Sequence, residues 1–364
     1  VGLRVALVLE GLTPDGELGQ DVPALARALV LRGVDLTVIC PPELAPAFGE
    51  TGVTVAPMTV GVGVAAVNAL RHALREPRFD VVHAHGLRAG LATSLARAPG
   101  TALVVGWPEP VHVVGASGLA RRALARTVAA AADLTLVAST ELAAIATRLG
   151  AREVRVAPVV LPELPAVSRP ADEVREELGV TGPLVLAVGR LHTRMHHDIL
   201  IAAAARWRDR RPMPQVVLAG TGPAYRDLVA QVATTRAPVV FAGHRDDVAD
   251  LLAAADLAVV TAERVRPLFA LEAARAGVAV VAAESSGLID LLAGSAELVP
   301  PGDVDALDHA VRRLLDDPGG RAVLAAAGRA RAATWPSVDE AAGEIAAGYA
   351  EVVHATPDAP GAGR

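Results

Sequence analysis

Residues 256–284, DLAVVTAERVRPLFALEAARAGVAVVAAE, restrict what this chain can fold into. They open on an apolar strand, Leu257 to Val260, and pass through a polar turn, Thr261 to Pro267. A helix runs from about Leu268 to Ala276 and stops at Gly277. A second apolar strand, Val278 to Ala282, follows at once. Strand, loop, helix, strand at this spacing is half of a parallel α/β unit. In such sheets ligands sit beyond the carboxyl ends of the strands, next to the following helix N-terminus. The loop 261–267 and the first helical turn therefore border a binding crevice. The unpaired N–H groups and dipole of the helix favour an anion there, such as a diphosphate. Glu272 lies one turn into this helix, and periodicity alone reads it equally as a solvent-facing carboxylate.

A chain of 364 residues suggests two domains. Hydrophobic residues make up 52% but aromatics only 2%, so Ala, Val and Leu must build the cores. All 34 basic residues are Arg, and the net charge of −6 invites no nucleic acid. The one cysteine, Cys40, excludes an internal disulfide and suits a reducing, cytoplasmic setting. The N-terminus VGLRVALVLE reads as a first strand rather than a signal segment. No apolar run reaches the roughly 18 to 20 residues a bilayer span needs.

The first half reads as βα units. Strands are expected at 4–9, 36–40, 53–60, 80–84, 103–105 and 134–138, with helices at 22–32, 62–75 and 119–132. A helix from Thr140 to Leu149 is capped by Ser139. Arg121, Arg122 and Arg126 form a basic helix face, read as solvated, with peripheral membrane contact as the other reading. The H-A-H-G run at 83–86 reads as a loop histidine pair or as site groups, and no Cys, Asp or Glu at metal spacing accompanies it. The domains are expected at 1–160 and 184–335, joined by a proline-rich linker, 161–183, with a short helix near Asp172 to Leu178. The second domain opens on the strand Leu184 to Val188, followed by a helix at 197–210 and strands at 215–218 and 239–242. Asp246 and Asp247 are expected to cap the helix 248–254. Helices are expected at 303–316 and 319–333, W-P-S at 335–337 marks a kink, and a last helix, 336–352, returns to the first domain. The tail 355–364 is expected to be disordered.

In their order these elements and motifs resemble the family-4-type glycosyltransferases of the GT-B fold, over about residues 3 to 352. The resemblance implies an α/β protein of two Rossmann-like domains facing each other across a cleft. It implies a UDP- or GDP-hexose as co-substrate, with no separate cofactor and no metal. L-F-A-L-E-A-A-R-A-G is similar to the E-x7-E region, which puts Glu272 on the ribose hydroxyls and Leu268 at the donor side. The first Glu of that pattern falls at Arg264, with Glu263 one place back. The loop GLTPDGELGQD is similar to G-G-x-G, where Gly16 and Gly19 would cradle donor phosphate and Glu17 stands for the second Gly. G-R-L-H-T-R-M-H is similar to G-R-L-x-x-x-K-G, so Gly189 and Arg190 match, and Arg190 would clamp the diphosphate. The lysine falls on Met195, or on His196 if the loop is one residue longer, with Arg194 adjacent as a substitute. A-G-T-G-P implies that Gly222 lets the backbone approach the nucleotide, and G-H-R-D-D-V that His244 and Arg245 hold the base through backbone groups. D-x-x-H-x-H-G puts His85 on the acceptor side, whereas the T-W-H-N pattern is broken by Pro108 after Trp107.

Two functions follow. In one, the chain is a retaining hexosyltransferase in which Arg194 and Glu263 take over the displaced roles. In the other, it is a catalytically degenerate relative that binds a nucleotide or a partner glycosyltransferase. An epimerase on the same fold has no constellation of its own here.

Overall fold

In the computed structural model, residues 2–10, 21–49, 51–76, 78–107, 115–262 and 267–355 are described, with backbone alone at 115–117. The chain divides into two compact units, Val1–Pro162 with Pro336–Arg364, and Glu163–Trp335. The positions singled out at Gly16, Glu17, Gly19, Pro108, Glu263 and Arg264 and the tail from 356 lie outside the described residues.

The first unit runs β1 (Arg4–Leu9), α1 (Asp21–Leu31), β2 (Asp35–Cys40), β3 (Thr54–Pro57), α2 (Val64–Ala73), β4 (Val81–His85), α3 (Leu87–Ala96), β5 (Ala102–Trp107), α4 (Gly115–Ala131), β6 (Leu134–Val137), α5 (Thr140–Arg148) and β7 (Val154–Val156). Its sheet has the order β3-β2-β1-β4-β5-β6-β7, all parallel. Parallel strands covered on both faces need continuous apolar runs. The run VALVL in β1 supplies one, with every side chain 0–2% exposed. In register, Leu7 of β1 lies beside His83 of β4 and Leu9 beside His85, so both strands end at one level. Ser139 caps α5 as expected, its hydroxyl accepting from the Leu142 N–H.

The second unit runs α6 (Ala171–Glu177), β8 (Leu184–Val188), α7 (His197–Ala204), β9 (Gln215–Ala219), α8 (Tyr225–Thr235), β10 (Val239–Gly243), α9 (Val248–Ala254), β11 (Leu257–Val260), α10 (Leu268–Ala276), β12 (Val280–Ala283), α11 (Ser286–Leu292), β13 (Glu297–Val299), α12 (Val304–Asp316) and α13 (Pro318–Ala332). Its parallel sheet is ordered β10-β9-β8-β11-β12-β13. In both sheets the order reverses beside the first strand, which creates a switch point between β1 and β4 and another between β8 and β11. The last helix, α14 (Val338–Ala355), belongs to the first unit, where it lies against α1 and β5. Its Ala342, Ile345, Tyr349 and Val352 complete the core formed by β1, β2, β4 and α1.

Two local expectations are corrected. The helix expected at 197–210 ends at Ala204. Tight turns then take over, Arg206 N–H to Ala203 O and Trp207 N–H to Ala204 O, because Trp207 is drawn fully inside and its indole donates to buried Asp308 at 2.8 Å. Asp247 precedes α9 but makes no side-chain cap. Its carboxylate is held by Arg245, at 2.7 and 2.6 Å, and by Arg169. The proline-rich segment holds the expected short helix, α6, and is tied to α9. Asp250, 2% exposed, accepts from the Ser168 N–H and hydroxyl, both at 2.7 Å, and Val174 of α6 is fully buried.

Candidate active site

At the second unit's switch point, three loops are clasped by their backbones. Gly189 N–H donates to Ala219 O at 2.9 Å, Leu191 N–H to Thr221 O at 2.9 Å, and Ala224 N–H to Leu191 O at 2.8 Å. Gly220 N–H reaches Gly243 O at 2.6 Å. The closeness demands glycine. A Cβ on Gly220 would lie 1.9 Å from Gly189 O, and one on Gly222 would lie 2.4 Å from Leu191 O. The A-G-T-G-P turn thus has a packing reason for its glycines, independent of any ligand.

In the G-R-L loop, His196 has φ 51° and ψ 35°, a left-handed conformation that disfavours side chains. The Met195 methyl folds back over Gly189, 2.7 Å from where a Cβ would be. The Met195 carbonyl accepts from the Thr261 hydroxyl at 2.7 Å, which ties the β8 loop to the end of β11 across the switch point.

Arg190 is half-buried, and its Nε is buried with no hydrogen-bond partner among the described residues. An unpaired guanidinium N–H inside a protein is costly unless a ligand takes it. Helix α10 begins after Pro267 without a side-chain cap, so its first N–H groups have no capping side chain. Leu268 opens it, and half-buried Glu272 stands one turn on. Burial pushes the Glu272 carboxyl up, and the Arg275 charge opposes this. Arg190 follows β8 and α10 follows the neighbouring strand β11, so this end of the sheet offers a cation, N–H donors and a carboxylate, which suits a phosphate-linked polyol. Arg194 is exposed, on the turn just before Met195. His244 is exposed and pairs with Asp246 at 3.1 Å. The Arg245 side chain is committed to Asp247 and Glu177, leaving its backbone for contacts. His197, 4% exposed, is pushed down to about 4 by burial. Among the described residues no group of His, Cys, Asp and Glu could hold a metal ion.

At the first unit's switch point both histidines lie on β4 itself, not in a loop. His83 is buried, and its Nδ1 is 2.8 Å from the Tyr349 hydroxyl. His85, half-buried at the strand end, is pushed down by burial, against the pull of the Asp21 charge. Glu10, which sequence reasoning passed over, leaves β1 and reaches across Gly86. Its carboxylate accepts from the Ala89 N–H at 2.8 Å, at the start of α3. Burial raises its pKa despite that bond and the Arg88 charge. The only trace of this in the sequence is an acid directly after a buried strand, R-V-A-L-V-L-E.

Comparison with known proteins agrees with this architecture. Residues 16–162 match the family model for the glycosyl transferase 4-like domain, and residues 182–317 the model for glycosyl transferases group 1. The chain is 30% identical to glycogen synthase of Mycobacterium tuberculosis over 91% of its own length and 90% of that protein. It is 34% identical to a GDP-mannose-dependent monoacylated alpha-(1-6)-phosphatidylinositol monomannoside mannosyltransferase of Corynebacterium glutamicum, over 47% of this chain and 49% of that one. That match spans about half of the mannosyltransferase. HepE of Anabaena, crystallised with UDP, shares the fold with a TM-score of 0.79 at 20% identity, over 96% of this chain and 100% of HepE. Two Rossmann-like units, a family model on each and a relative aligned along nine-tenths of both chains make this chain a member of the group 1 glycosyltransferases, with their 4-like N-terminal domain.

Proposed function

We propose that this glycosyltransferase moves a hexose, with retention, from a nucleotide-sugar to an acceptor hydroxyl. The observation that carries the reading is the buried Nε of Arg190, unpartnered among the described residues, after β8, with the start of α10 and Glu272 after the neighbouring strand β11. The diphosphate takes the Arg190 guanidinium and the α10 N–H groups, and Glu272 accepts from the ribose hydroxyls. Gly189 and Gly222 hold the loops around it, and the backbone at His244 and Arg245 meets the base. As the anomeric C–O bond breaks, charge grows on the leaving phosphate. Arg190 compensates it, and loss of such a donor costs about 3 kcal/mol elsewhere. Arg194 supplies the second cation and Glu263 the sugar contact, with Gly16 and Gly19 on the phosphate and His85 towards the acceptor. Two relatives, one GDP-mannose-dependent and one crystallised with UDP, set the donors to test.

A second reading has its own observation: the Met195 methyl lies against Gly189, in a loop where the resemblance expects a lysine at 195 or 196. On that reading the chain binds a nucleotide or a partner glycosyltransferase without transfer. Calorimetry with UDP- and GDP-sugars separates the two from a protein that binds neither. Binding with a dissociation constant of about 1 µM to 1 mM, weakened about 10- to 100-fold in Glu272→Ala, supports the donor site. Saturable binding without transfer to any acceptor and without donor hydrolysis would establish the second reading. No heat with any donor refutes the donor site and leaves only the partner-binding form of the second reading.

A further inference from the structure

His83 and His85 stand two residues apart on β4, so their rings leave the same face of the sheet. Beside His85, in register on β5, is Gly106. A Cβ there would be 3.4 Å from His83 Nε2 and 3.4 Å from His85 Nδ1. The two imidazoles therefore converge over the one position where the sheet bears no side chain. His83 is 4% exposed, and its Nε2 is buried with no hydrogen-bond partner among the described residues. Its other edge is held: Nδ1 is 2.8 Å from the hydroxyl of Tyr349, itself 1% exposed on α14, with the rings edge-on at 5.8 Å and 68°.

This geometry dictates where the protons sit. Burial and the nearby His85 push His83 down to about 3, so its ring is neutral and carries one N–H. Burial also pushes the Tyr349 hydroxyl up, so it keeps its proton. A buried hydroxyl places that proton on an acceptor, and among the described residues His83 Nδ1 is the one within reach. The His83 proton must then be on Nε2, aimed at the strip over Gly106. An N–H dipole pointing there favours a lone pair, not a second N–H, on His85 Nδ1. The His85 proton is left on Nε2. Among the described residues, Asp21 is the charged group that acts on His85.

We propose that Tyr349 and His83 are positioning residues that fix which ring nitrogen of His85 carries its proton, so that His85 presents an N–H donor to the acceptor. This rests on the reading that His85 faces the acceptor. His85 then holds an acceptor oxygen rather than taking its proton.

Long-range nitrogen–proton NMR of the histidine rings in the full chain tests this without substrate. Wild-type His85 is expected to carry its proton on Nε2. In Tyr349→Phe, with the amide spectrum otherwise retained, His85 is expected to become a mixture of tautomers and to titrate about half a pH unit away from wild type. Gly106→Ala, which keeps all three rings but puts a methyl between two of them, should do the same and guards against a Tyr349 variant that fails to fold. A wild-type His85 protonated on Nδ1, or one whose tautomer and titration are unmoved in both variants, overturns the proposal. In a transfer assay, Tyr349→Phe should raise the acceptor KM about 3- to 10-fold and leave the donor KM unchanged. Intact NMR coupling with His85→Ala leaving transfer untouched would sink the acceptor-side reading alone and leave the relay standing.

Discussion

Replacing Gly222 with alanine would drive a methyl carbon to within 2.4 Å of the Leu191 carbonyl oxygen, 2.8 Å of its carbon and 2.9 Å of its nitrogen. All three atoms are backbone and cannot rotate away. The β8 and β9 loops must part by about 1 Å to restore ordinary contact. The same stretch of backbone carries two hydrogen bonds, Leu191 N–H to Thr221 O and Ala224 N–H to Leu191 O. Stretching both forfeits about 1 kcal/mol each, and residual overpacking adds about 1 to 2 kcal/mol. We expect Gly222→Ala to cost about 3 kcal/mol, lowering the urea midpoint of the second unit by about 1 to 2 M. Urea unfolding followed by tryptophan fluorescence reads it directly, because Trp207 is fully buried in this unit. If the glycine serves only close approach of a nucleotide, the midpoint stays within about 0.5 kcal/mol of wild type while donor binding is lost. That pattern would refute the packing argument.

Two further outcomes follow from buried groups and backbone. Burial holds His83 at about 3 and His197 at about 4, below the ordinary histidine value, so the unfolded chain binds more protons between those values and neutrality. Each contributes stability that is complete above pH 6.5 and falls by about 1.4 kcal/mol per pH unit as the pH drops towards its folded value. In His83→Gln the unfolding free energy between pH 4.5 and 6.5 should flatten by that slope, whereas curves parallel to wild type would show that His83 does not titrate in this way. His196→Gly should stabilise the second unit by about 1 kcal/mol, because φ 51° is strained for a side chain. A clear loss of stability in denaturant would mean that the imidazole, not the backbone, governs that turn.

Much of the fold is written locally. Strands β8, β11 and β12 are continuous apolar runs, and Gly277 takes the left-handed φ of 73° that ends α10 where the sequence places its stop. Helix α3 is absent from a reading by apolar period because its packed face is made of small residues. Gly90 sits so close under Val128 and Val105 that a Cβ would come within 2.8 and 3.1 Å of them. Such a face has no hydrophobic stripe to detect. Trp207 truncates α7 by a contact with Asp308, 101 positions away. The site shows the same division. Arg190, Glu272 and His85 stand out as motif residues, but the left-handed backbone of His196 carries no mark in the sequence. Glu10 meets the start of α3 because the register of β1 on β4 brings two strand ends together, which neither strand encodes alone. The partner of His83 lies 266 residues further on.

The return of α14 to the first unit has a consequence for how the chain is made. Every residue of Glu163–Trp335 leaves the ribosome after the first sheet is complete but before Ile345, Tyr349 and Val352, which close that sheet's core, have been joined to the chain. At about 5 to 20 residues per second, β1 to β7 wait some 10 to 40 s with that apolar face uncovered, long enough for the second unit to fold in the interval. The half that is first in sequence is thus the last to be finished, and a ribosome that stalls before α14 releases a nascent chain in which the second domain is mature and the first is a chaperone client.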